Sequence, residues 1–446
     1  MYETFMKKRE KKIQDYDRLY SFLRYFVDFN LKMSYRTIKY IGREKIPTDG
    51  AVIYAPNHTN ALMDALIILA MDRKAKVFVA RADIFKNKKI AKILRFLKIM
   101  PIMRIRDGYE EVKKNNETIE KAVDVLRDRV PFCILPEGTH RAKHSLLPLS
   151  KGIFRIAFQA QQLLGDTPLY IVPVGLEYGN YFRFRSTVRV QVGNPLNVKE
   201  FIGHYQDNSV AEQMNLMKDE LTLRMKENIL YIPDDDDYDN TYEICAANVN
   251  RQKRELAEQM GKKVARGIDG HFICNRETVR KVVALKENSP EKAEELFDLA
   301  QKARELRLKD KISLSSVAIE YPFWSRFLKF VIFVALLPYT IPASILSSPT
   351  NGLCRFLFTK MKDRAFRNSI RCVVNLVVWP VLLLIYAIIA FAIFPWEWAL
   401  VAILLLIPAP VFAQETYRLF RLMASDVRLL FNGKLRKLYK QIRESL

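Results

Sequence analysis

The sequence has no close-spaced pair of cysteines. Five cysteines, an odd number, are scattered along the chain as Cys133, Cys245, Cys274, Cys354 and Cys372. Structural zinc sites and disulfide frameworks both depend on cysteines at short, regular spacings. The pattern therefore predicts reduced thiols that face a cytoplasm, and it gives no sign of a metal site.

A cleavable signal peptide and a motif for reading nucleic acid are also missing. Bases crowd residues 7–12, but they are not followed by the uninterrupted apolar segment that a signal peptide needs. The chain has 72 Lys and Arg against 49 Asp and Glu, which gives a net charge of +23. Such a surplus attracts a polyanion, either nucleic acid or an anionic lipid surface. Because the bases flank long apolar segments, the sequence favours a lipid bilayer as partner and predicts no nucleic-acid partner.

The length of 446 residues leaves room for more than one structural unit. Between residues 51 and 195, short apolar runs alternate with helical stretches, which is typical of an α/β fold with helices on both faces of a sheet. The predicted strands are 51–56, 76–81, 100–104, 131–136, 169–175 and 186–192. The predicted helices between them are 61–71, 87–98, 111–129 and 151–164.

Composition changes along the chain predict four regions. In the first region, 1–44, residues 15–42 alternate aromatic and basic side chains. This periodicity fits amphipathic helices on a membrane surface and ordinary core-facing helices equally, and the apolar segments later in the chain favour the membrane surface. The α/β unit occupies 45–200, a mainly helical polar region covers 201–320, and a membrane region with a basic tail covers 321–446. Four consecutive aspartates at 234–237 lack the ligand spacing of a calcium loop, which favours a solvated linker.

The membrane region contains three apolar segments. Residues 372–394 carry no charge and are long enough to span a bilayer, residues 398–413 are uncharged but shorter, and residues 327–346 contain two prolines. Bases crowd the first connection and the end of the chain, whereas the second connection has tryptophans and no base. The positive-inside tendency then predicts a hairpin at 372–413 and a first segment that enters and returns or lies flat. Three spans are the rival arrangement. In the preferred one the α/β domain faces the cytoplasm.

A histidine and an aspartate six positions apart follow the first predicted strand. His58 lies in a loop, Asn60 is a good N-cap, and Asp64 then lies about one turn inside the helix with its side chain leaning back toward the N-terminus. The two side chains are therefore able to meet, so that the carboxylate fixes the imidazole tautomer while the other ring nitrogen takes a proton. Taken alone, so short a pattern favours a buried histidine beside a surface aspartate.

Three further stretches follow or interrupt predicted strands. Arg104 ends one strand, and a guanidinium there suits a phosphate. Residues 135–141 place a carboxylate, a glycine and a hydroxyl in one tight turn with bases behind it. Pro173 lies inside an apolar strand, where it would shape a slot for an apolar chain. Because chemistry gathers at the strand ends of such sheets, we expect His58, Arg104 and Glu137 to line one mouth.

Together these blocks resemble the PlsC-type family, the membrane-bound phosphate acyltransferases of glycerolipid synthesis. The family's blocks appear in order: His…Asp at 58–64, Pro-x-x-Arg at 101–104, Pro-Glu-Gly-Thr at 136–139 and Val-Pro-Val at 172–174. The match covers roughly residues 45–195 and leaves the helical region and the tail unexplained. It implies a mixed sheet flanked by helices.

The resemblance also implies a reaction. An acyl chain would pass from its co-substrate, acyl-CoA or an acyl-carrier protein, to a hydroxyl of glycerol 3-phosphate or 1-acylglycerol 3-phosphate, with no metal or other cofactor. His58 would be the general base and Asp64 would orient it. The matched residues that would contact or shape the substrates are Arg104, Glu137, Gly138, Thr139, Arg141 and Pro173.

The chain departs from the family pattern at two places. Five residues separate His58 from Asp64 where the family usually has four, a spacing similar to that of fungal-type glycerol-3-phosphate acyltransferases. His140 stands where the family commonly has arginine, so either Arg141 takes over that contact or the phosphate is held differently.

Two other functions stay open at this point. The acceptor hydroxyl could belong to another lysolipid. Alternatively, the chain could be a non-catalytic membrane scaffold with a basic surface, which accounts for the net charge and the apolar tail but gives no reason for His58, Asp64 and Glu137 in matching blocks.

Overall fold

The computed structural model describes residues 11–103, 115–319, 323–361 and 363–446. The described strands form one sheet and comprise β1 Tyr35–Ile41, β2 Ala51–Pro56, β3 Val77–Arg81, β4 Ile99–Ile102, β5 Phe132–Cys133, β6 Leu169–Tyr178, β7 Ser186–Val192 and β8 Leu196–Asn197. Their order is β1-β7-β6-β2-β5-β3-β4, and β8 also pairs with β6. Because β6 runs antiparallel to β7 and β8 while the other described pairs are parallel, the sheet is mixed.

Helices cover both faces of this sheet, which confirms the predicted α/β class. The α-helices described in this part of the chain are α1 Arg18–Ser34, α2 Leu62–Leu69, α3 Lys88–Phe96, α4 Asn115–Arg127 and α5 Gly152–Leu164. One face packs on α4 and α5 through Leu126 and Phe154, and the other packs on α1 and α2 through Leu31 and Ile67. All six residues of β2 are buried, as expected for a parallel strand with neighbours on each side. The end of β2 is therefore a fixed point from which the next loop starts.

Residues 35–41 are a strand, so the prediction of helices throughout 1–44 is wrong for this stretch. Helix α1 ends at Ser34, and β1 then pairs in parallel with β7, about 150 positions further along the chain. The partner strand satisfies backbone groups that a helix would satisfy locally, and β-branched and aromatic residues suit a half-buried strand. Helix α1 does expose a row of apolar side chains, so its place on a membrane surface stays a prediction; the row is Leu19, Phe22, Leu23, Phe26 and Phe29.

The polar region after the sheet is mainly helical, as predicted. It comprises α6 Val198–His204, α7 Val210–Asn228, α8 Tyr238–Met260, α9 Ile268–Asn288, α10 Pro290–Lys309 and α11 Leu314–Ala318. The last helix of the chain, α17 Gly433–Glu444, inserts Leu435, Tyr439 and Ile442 into the core of this region. The end of the chain therefore differs from the predicted basic tail of the membrane region. Its apolar side chains recur every three to four residues, and that stripe is buried against α8 and α10.

The apolar helices lie between α11 and α17. They are α12 Phe323–Leu346, α13 Ser348–Lys360, α14 Phe366–Ile393, α15 Trp396–Leu406 and α16 Ala409–Phe431. Within the described residues, α12 and α14 are each long and apolar enough to cross a membrane, and α15 and α16 form a pair bent by 48° that could count as a third. Helix α12 runs against α16, where Lys329 pairs with Asp426 at 2.9 Å. It also contacts the end of α15, where the Tyr339 hydroxyl donates to Leu405 O at 2.6 Å.

Candidate active site

The loop after β2 is fastened to β6 by one asparagine. Asn57 Oδ1 accepts from Leu176 N at 2.6 Å, and Asn57 Nδ2 donates to Leu176 O at 3.1 Å. This side chain continues the strand pairing beyond Pro56, where the ladder would otherwise end. His58 therefore leaves the edge of the sheet in a fixed direction.

Helix α2 begins at Leu62, and its N-cap is Ala61 rather than the predicted Asn60. Asp64 reaches back from the first turn, and its Oδ2 accepts from Thr59 N at 2.8 Å and from Asn60 N at 2.7 Å. The aspartate thus satisfies loop amides, while the buried Asn60 side chain has no hydrogen-bond partner in the described part of the chain. Ala61 adopts a φ of 46°, a conformation that residues with a Cβ rarely occupy and that persists where the surroundings enforce it.

His58 and Asp64 are in direct contact. His58 Nδ1 lies 2.8 Å from Asp64 Oδ2; the Asp64 side chain is fully buried, and that of His58 is 17% exposed. Because a carboxylate only accepts, it holds the imidazole with a proton on Nδ1 and leaves a lone pair on Nε2. Among the described residues nothing hydrogen-bonds to Nε2. The arrangement is that of a general base with one free nitrogen.

Tyr178 completes the surroundings of Asp64, and sequence reasoning missed it. Its hydroxyl donates to Asp64 Oδ1 at 2.5 Å, so both carboxylate oxygens are engaged. Burial raises the pKa of Tyr178 well above its ordinary value, and the nearby Asp64 charge adds to the shift. The hydroxyl is therefore held protonated as a donor. Tyr178 ends β6, three residues beyond the predicted end of that strand.

Glu137 joins the histidine loop to the loop after β5. Its Oε1 accepts from His58 N at 2.6 Å and its Oε2 accepts from Leu147 N at 2.9 Å. Burial raises the pKa of Glu137 to about 7, against the two amide donors that lower it. Both oxygens thus hold backbone at His58 and at Leu147. Gly138 beside it has a φ of 65°, which suits glycine, and Thr139 is exposed.

Two basic residues follow this turn, His140 and Arg141, and both contact His58. The His140 ring stands edge-on to the His58 ring with centroids 5.3 Å apart, and its Nε2 lies 2.8 Å from Asp363 Oδ2. The Arg141 main-chain N–H donates to His58 O at 3.1 Å, while its guanidinium pairs with Asp234. Each of these two basic side chains therefore contacts a carboxylate from outside the α/β unit.

Two predicted residues are not part of this cluster. Arg104 lies outside the described residues. Pro173 is buried in β6 beside Gly193, whose N–H donates to Pro173 O at 2.9 Å. It stands where β6 changes partner from β8 to β7, so no ladder hydrogen bond is lost by its missing N–H. Its role along an acyl chain stays a prediction.

A buried histidine, His144, connects the α/β unit to the helical region. His144 Nδ1 is 2.7 Å from Glu177 Oε1, and the ring packs on Tyr181 and Tyr242. The His144 main-chain N–H donates to the Tyr238 hydroxyl at 2.7 Å, and this hydrogen bond joins the α/β unit to α8. Nothing in the local sequence around His144 points to this junction, because its partners come from other elements. No group of His, Cys, Asp and Glu that could hold a metal occurs in the part of the chain that the structure describes.

Comparisons with known proteins converge on one chemistry. A family model described as acyltransferase matches residues 37–177. The chain is 25% identical over 301 residues to glycerol-3-phosphate O-acyltransferase 2 of Saccharomyces cerevisiae. This match covers 63% of this chain and 39% of that protein. The chain is also 23% identical over 193 residues to 1-acyl-sn-glycerol-3-phosphate acyltransferase of Bacillus subtilis. That match covers 43% of this chain and 87% of the Bacillus protein.

A second yeast protein and a solved structure add to these matches. Glycerol-3-phosphate O-acyltransferase 1 of Saccharomyces cerevisiae is 33% identical over 75 residues, 17% of this chain and 10% of that protein. The chain thus spans well under half of the length of either yeast relative. The crystal structure of the 1-acyl-sn-glycerophosphate acyltransferase PlsC from Thermotoga maritima is 20% identical with a TM-score of 0.34, over 47% of this chain and 79% of that chain.

Proposed function

We propose, from the match of residues 37–177 to an acyltransferase family model, that the chain transfers a fatty acyl group from an acyl thioester to a hydroxyl of glycerol 3-phosphate or 1-acylglycerol 3-phosphate. The observation that carries this proposal is the 2.8 Å contact between His58 Nδ1 and Asp64 Oδ2 inside that domain. A scaffold protein has no need of an oriented imidazole with a free Nε2.

The proposed reaction is a direct acyl transfer. His58 Nε2 takes the proton of the acceptor hydroxyl while the oxygen attacks the thioester carbonyl carbon. The tetrahedral intermediate collapses with cleavage of the C–S bond, and the leaving thiolate takes the proton from His58. A general base of this kind contributes about 10²- to 10⁴-fold. Positioning of the two substrates in line would supply much of the rest.

The charges around His58 favour an acceptor that carries phosphate. His140 and Arg141 follow the turn that Glu137 fastens to the His58 loop, and Lys143 lies two positions further on. The cationic Arg141 and Lys143, on the loop that contacts the His58 backbone, suit a phosphate ester better than an uncharged lysolipid. The donor in this proposal is acyl-CoA or an acyl-carrier protein, and acylation of other lysolipids is the alternative within the same chemistry.

The proposed site opens next to the membrane, with the α/β domain on the cytoplasmic side. The start of α14 packs on the site: Phe366 lies edge-on to the His140 ring at 5.0 Å, and Asn368 Nδ2 donates to Tyr181 O at 2.6 Å. One turn further, the Cys372 carbonyl accepts from Asn30 Nδ2 of α1 at 3.0 Å. A lipid product formed here has a short path into the bilayer.

Acyl incorporation by the purified protein in detergent tests the proposal. Labelled acyl-CoA is offered with glycerol 3-phosphate, 1-acylglycerol 3-phosphate and uncharged lysolipids, and the products are identified by mass. We expect turnover with a phosphate acceptor and its loss in His58→Ala, with full turnover in the control His204→Ala, an exposed histidine on α6. Undiminished turnover in His58→Ala would show that His58 is not the general base. Absence of turnover with every acceptor would contradict the enzyme proposal and favour the non-catalytic membrane scaffold.

A further inference from the structure

We propose that Asp234 occupies the position of the acceptor's phosphate, and that an incoming phosphate displaces its carboxylate from Arg141 and Lys143. The inference rests on the proposed function and assigns a role to the acidic run at 234–237. In this view Asp234 is an internal competitor that sets how tightly the acceptor binds.

Asp234 brings its charge to the site from another part of the chain. It lies in the loop between α7 and α8, and its Oδ1 pairs with Lys143 Nζ at 2.7 Å while its Oδ2 pairs with Arg141 Nη1. The Lys143 ammonium, with the Arg141 guanidinium beside it, holds the pKa of Asp234 below its ordinary value. One carboxylate thus bridges two cations, as a phosphate would.

Arg141 is tied to the loop that carries His58, and the Lys143 main-chain N–H donates to Arg141 O at 2.8 Å. The Arg141 main-chain N–H donates to the His58 carbonyl oxygen at 3.1 Å, and Arg141 Nη2 donates to Ser145 Oγ at 2.8 Å. The guanidinium is therefore held by its main chain and by its far end. An anion bound there lies within the length of one arginine side chain from the main chain that contacts His58.

The loop that carries Asp234 is pinned on both sides. Ile232 N donates to His144 O at 2.7 Å, and the Tyr238 hydroxyl accepts from His144 N at 2.7 Å. On the far side, Lys286 of α9 pairs with Asp237 at 2.7 Å. These bonds hold the loop backbone independently of the ion pairs of Asp234. The Asp234 carboxylate can therefore separate from Arg141 and Lys143 without a movement of the backbone.

A phosphate has the advantage in this exchange. The side chains of Arg141, Lys143 and Asp234 are 28%, 39% and 35% exposed, so a solvent-borne anion can reach them. Exposed ion pairs of single charges are weak. A phosphate ester carries up to two charges and three acceptor oxygens, which match an arginine fork and a lysine together. The resident carboxylate therefore competes with the acceptor without excluding it.

The test is the KM for glycerol 3-phosphate in Asp234→Asn, measured with the full-length protein in detergent at saturating acyl-CoA. The matched control is Asp236→Asn, which removes the same charge from an exposed position two residues along the same loop. We expect Asp234→Asn to lower this KM by about two- to five-fold, the range that an exposed ion pair supports. The kcat, the KM for acyl-CoA and the kinetics of Asp236→Asn stay at wild-type values.

Calorimetric binding of glycerol 3-phosphate without acyl donor separates this inference from the proposed function. Tighter binding by Asp234→Asn supports the inference even in a protein that transfers no acyl group. A higher KM or a lower kcat in Asp234→Asn overturns it, because Asp234 would then be an aid to Arg141. Equal effects of Asp234→Asn and Asp236→Asn also overturn it, since only the net charge of the loop would matter.

Discussion

The Tyr178 hydroxyl donates to Asp64 Oδ1 at 2.5 Å, across 114 positions of sequence. Asp64 Oδ2 already holds His58 Nδ1 and two loop amides, so the tyrosine satisfies the remaining oxygen of a fully buried carboxylate. The orientation of the His58 ring therefore depends, through Asp64, on a residue of the antiparallel part of the sheet.

We expect Tyr178→Phe to lower kcat by about 10- to 150-fold with little change in either KM. A hydrogen bond to a charged group contributes about 1.5–3 kcal/mol, and about 1.36 kcal/mol corresponds to a tenfold change in rate. Steady-state kinetics in detergent measure the effect. The control is Tyr35→Phe: its ring centroid lies 6.1 Å from that of Tyr178, and no hydrogen bond joins it to Asp64 in the described residues. Equal losses in both variants would point to packing rather than to the hydroxyl.

Asp64→Asn should reduce kcat by about 10²-fold or more, because the amide no longer favours the proton on His58 Nδ1 and the base loses its tautomer. The amide nitrogen would also face donors at Thr59 and Asn60, so we expect a lower melting temperature. Kinetics and thermal melting on the same preparation check both. A variant with normal kcat would show that the tautomer of His58 is set elsewhere.

Glu137 predicts a pH dependence of stability. Burial raises its pKa in the folded protein to about 7 from an ordinary value of 4.5, so the folded state binds more protons than the unfolded state between those values. Stability from this group is therefore complete below about pH 4.5 and is lost as the pH rises toward 7.

The difference in melting temperature between wild type and Glu137→Gln isolates this contribution. It should fall as the pH rises from 5 to about 7 and stay level above, since the glutamine side chain of the variant does not titrate. Glu212→Gln, at an exposed helix cap, serves as the control because the pKa of Glu212 is lowered by its hydrogen bonds to Ser209. A difference that grows between pH 5 and 7 would contradict the raised pKa.

Tyr439→Phe should destabilise the helical region. Glu243 is buried and accepts from Arg307 Nε at 2.7 Å and from the Tyr439 hydroxyl at 2.6 Å. Loss of one donor to a buried carboxylate costs about 1–3 kcal/mol, so the melting temperature falls while KM and kcat at permissive temperature remain normal. Tyr417→Phe, an exposed tyrosine on α16, is expected to melt like wild type. Normal melting of Tyr439→Phe would mean that Arg307 alone satisfies Glu243.

The sidedness of the membrane region is open to cysteine labelling. Arg364→Cys places a thiol in the connection before α14, and Glu397→Cys places one in the first turn of α15, next to its junction with α14; both positions are exposed, and the native cysteines are buried. We expect a membrane-impermeant maleimide to label Arg364→Cys only from the cytoplasmic face and Glu397→Cys only from the opposite face. Labelling of both from one side would contradict the hairpin.

The sequence predicts what depends on neighbours along the chain. β2 begins and ends as predicted, because an apolar run closed by Pro56 carries its own boundaries. The meeting of His58 with Asp64 follows from the direction of side chains in a first helical turn. Asn60 does not act as the N-cap, because Asp64 already supplies the acceptor that a cap would provide.

Features that depend on distant pairing escaped prediction. The sequence around β1 resembles an amphipathic helix, and its pairing with β7 cannot be seen locally because β7 lies about 150 positions away. Tyr178, Asp234 and Asp363 reach the site from β6, from the helical region and from the connection before α14, and nothing in their own surroundings marks them. Sequence reasoning thus located the His58–Asp64 pair but not the groups that contact it and the neighbouring basic residues from other parts of the chain.

The burial of α17 in one core with α8 and α10 bears on the path of the apolar helices. The polypeptide leaves that core before α12 and returns to it after α16. A chain that leaves and re-enters the same core on one side of a bilayer crosses that bilayer an even number of times. We therefore predict that two of the three candidate segments cross and that the third turns back.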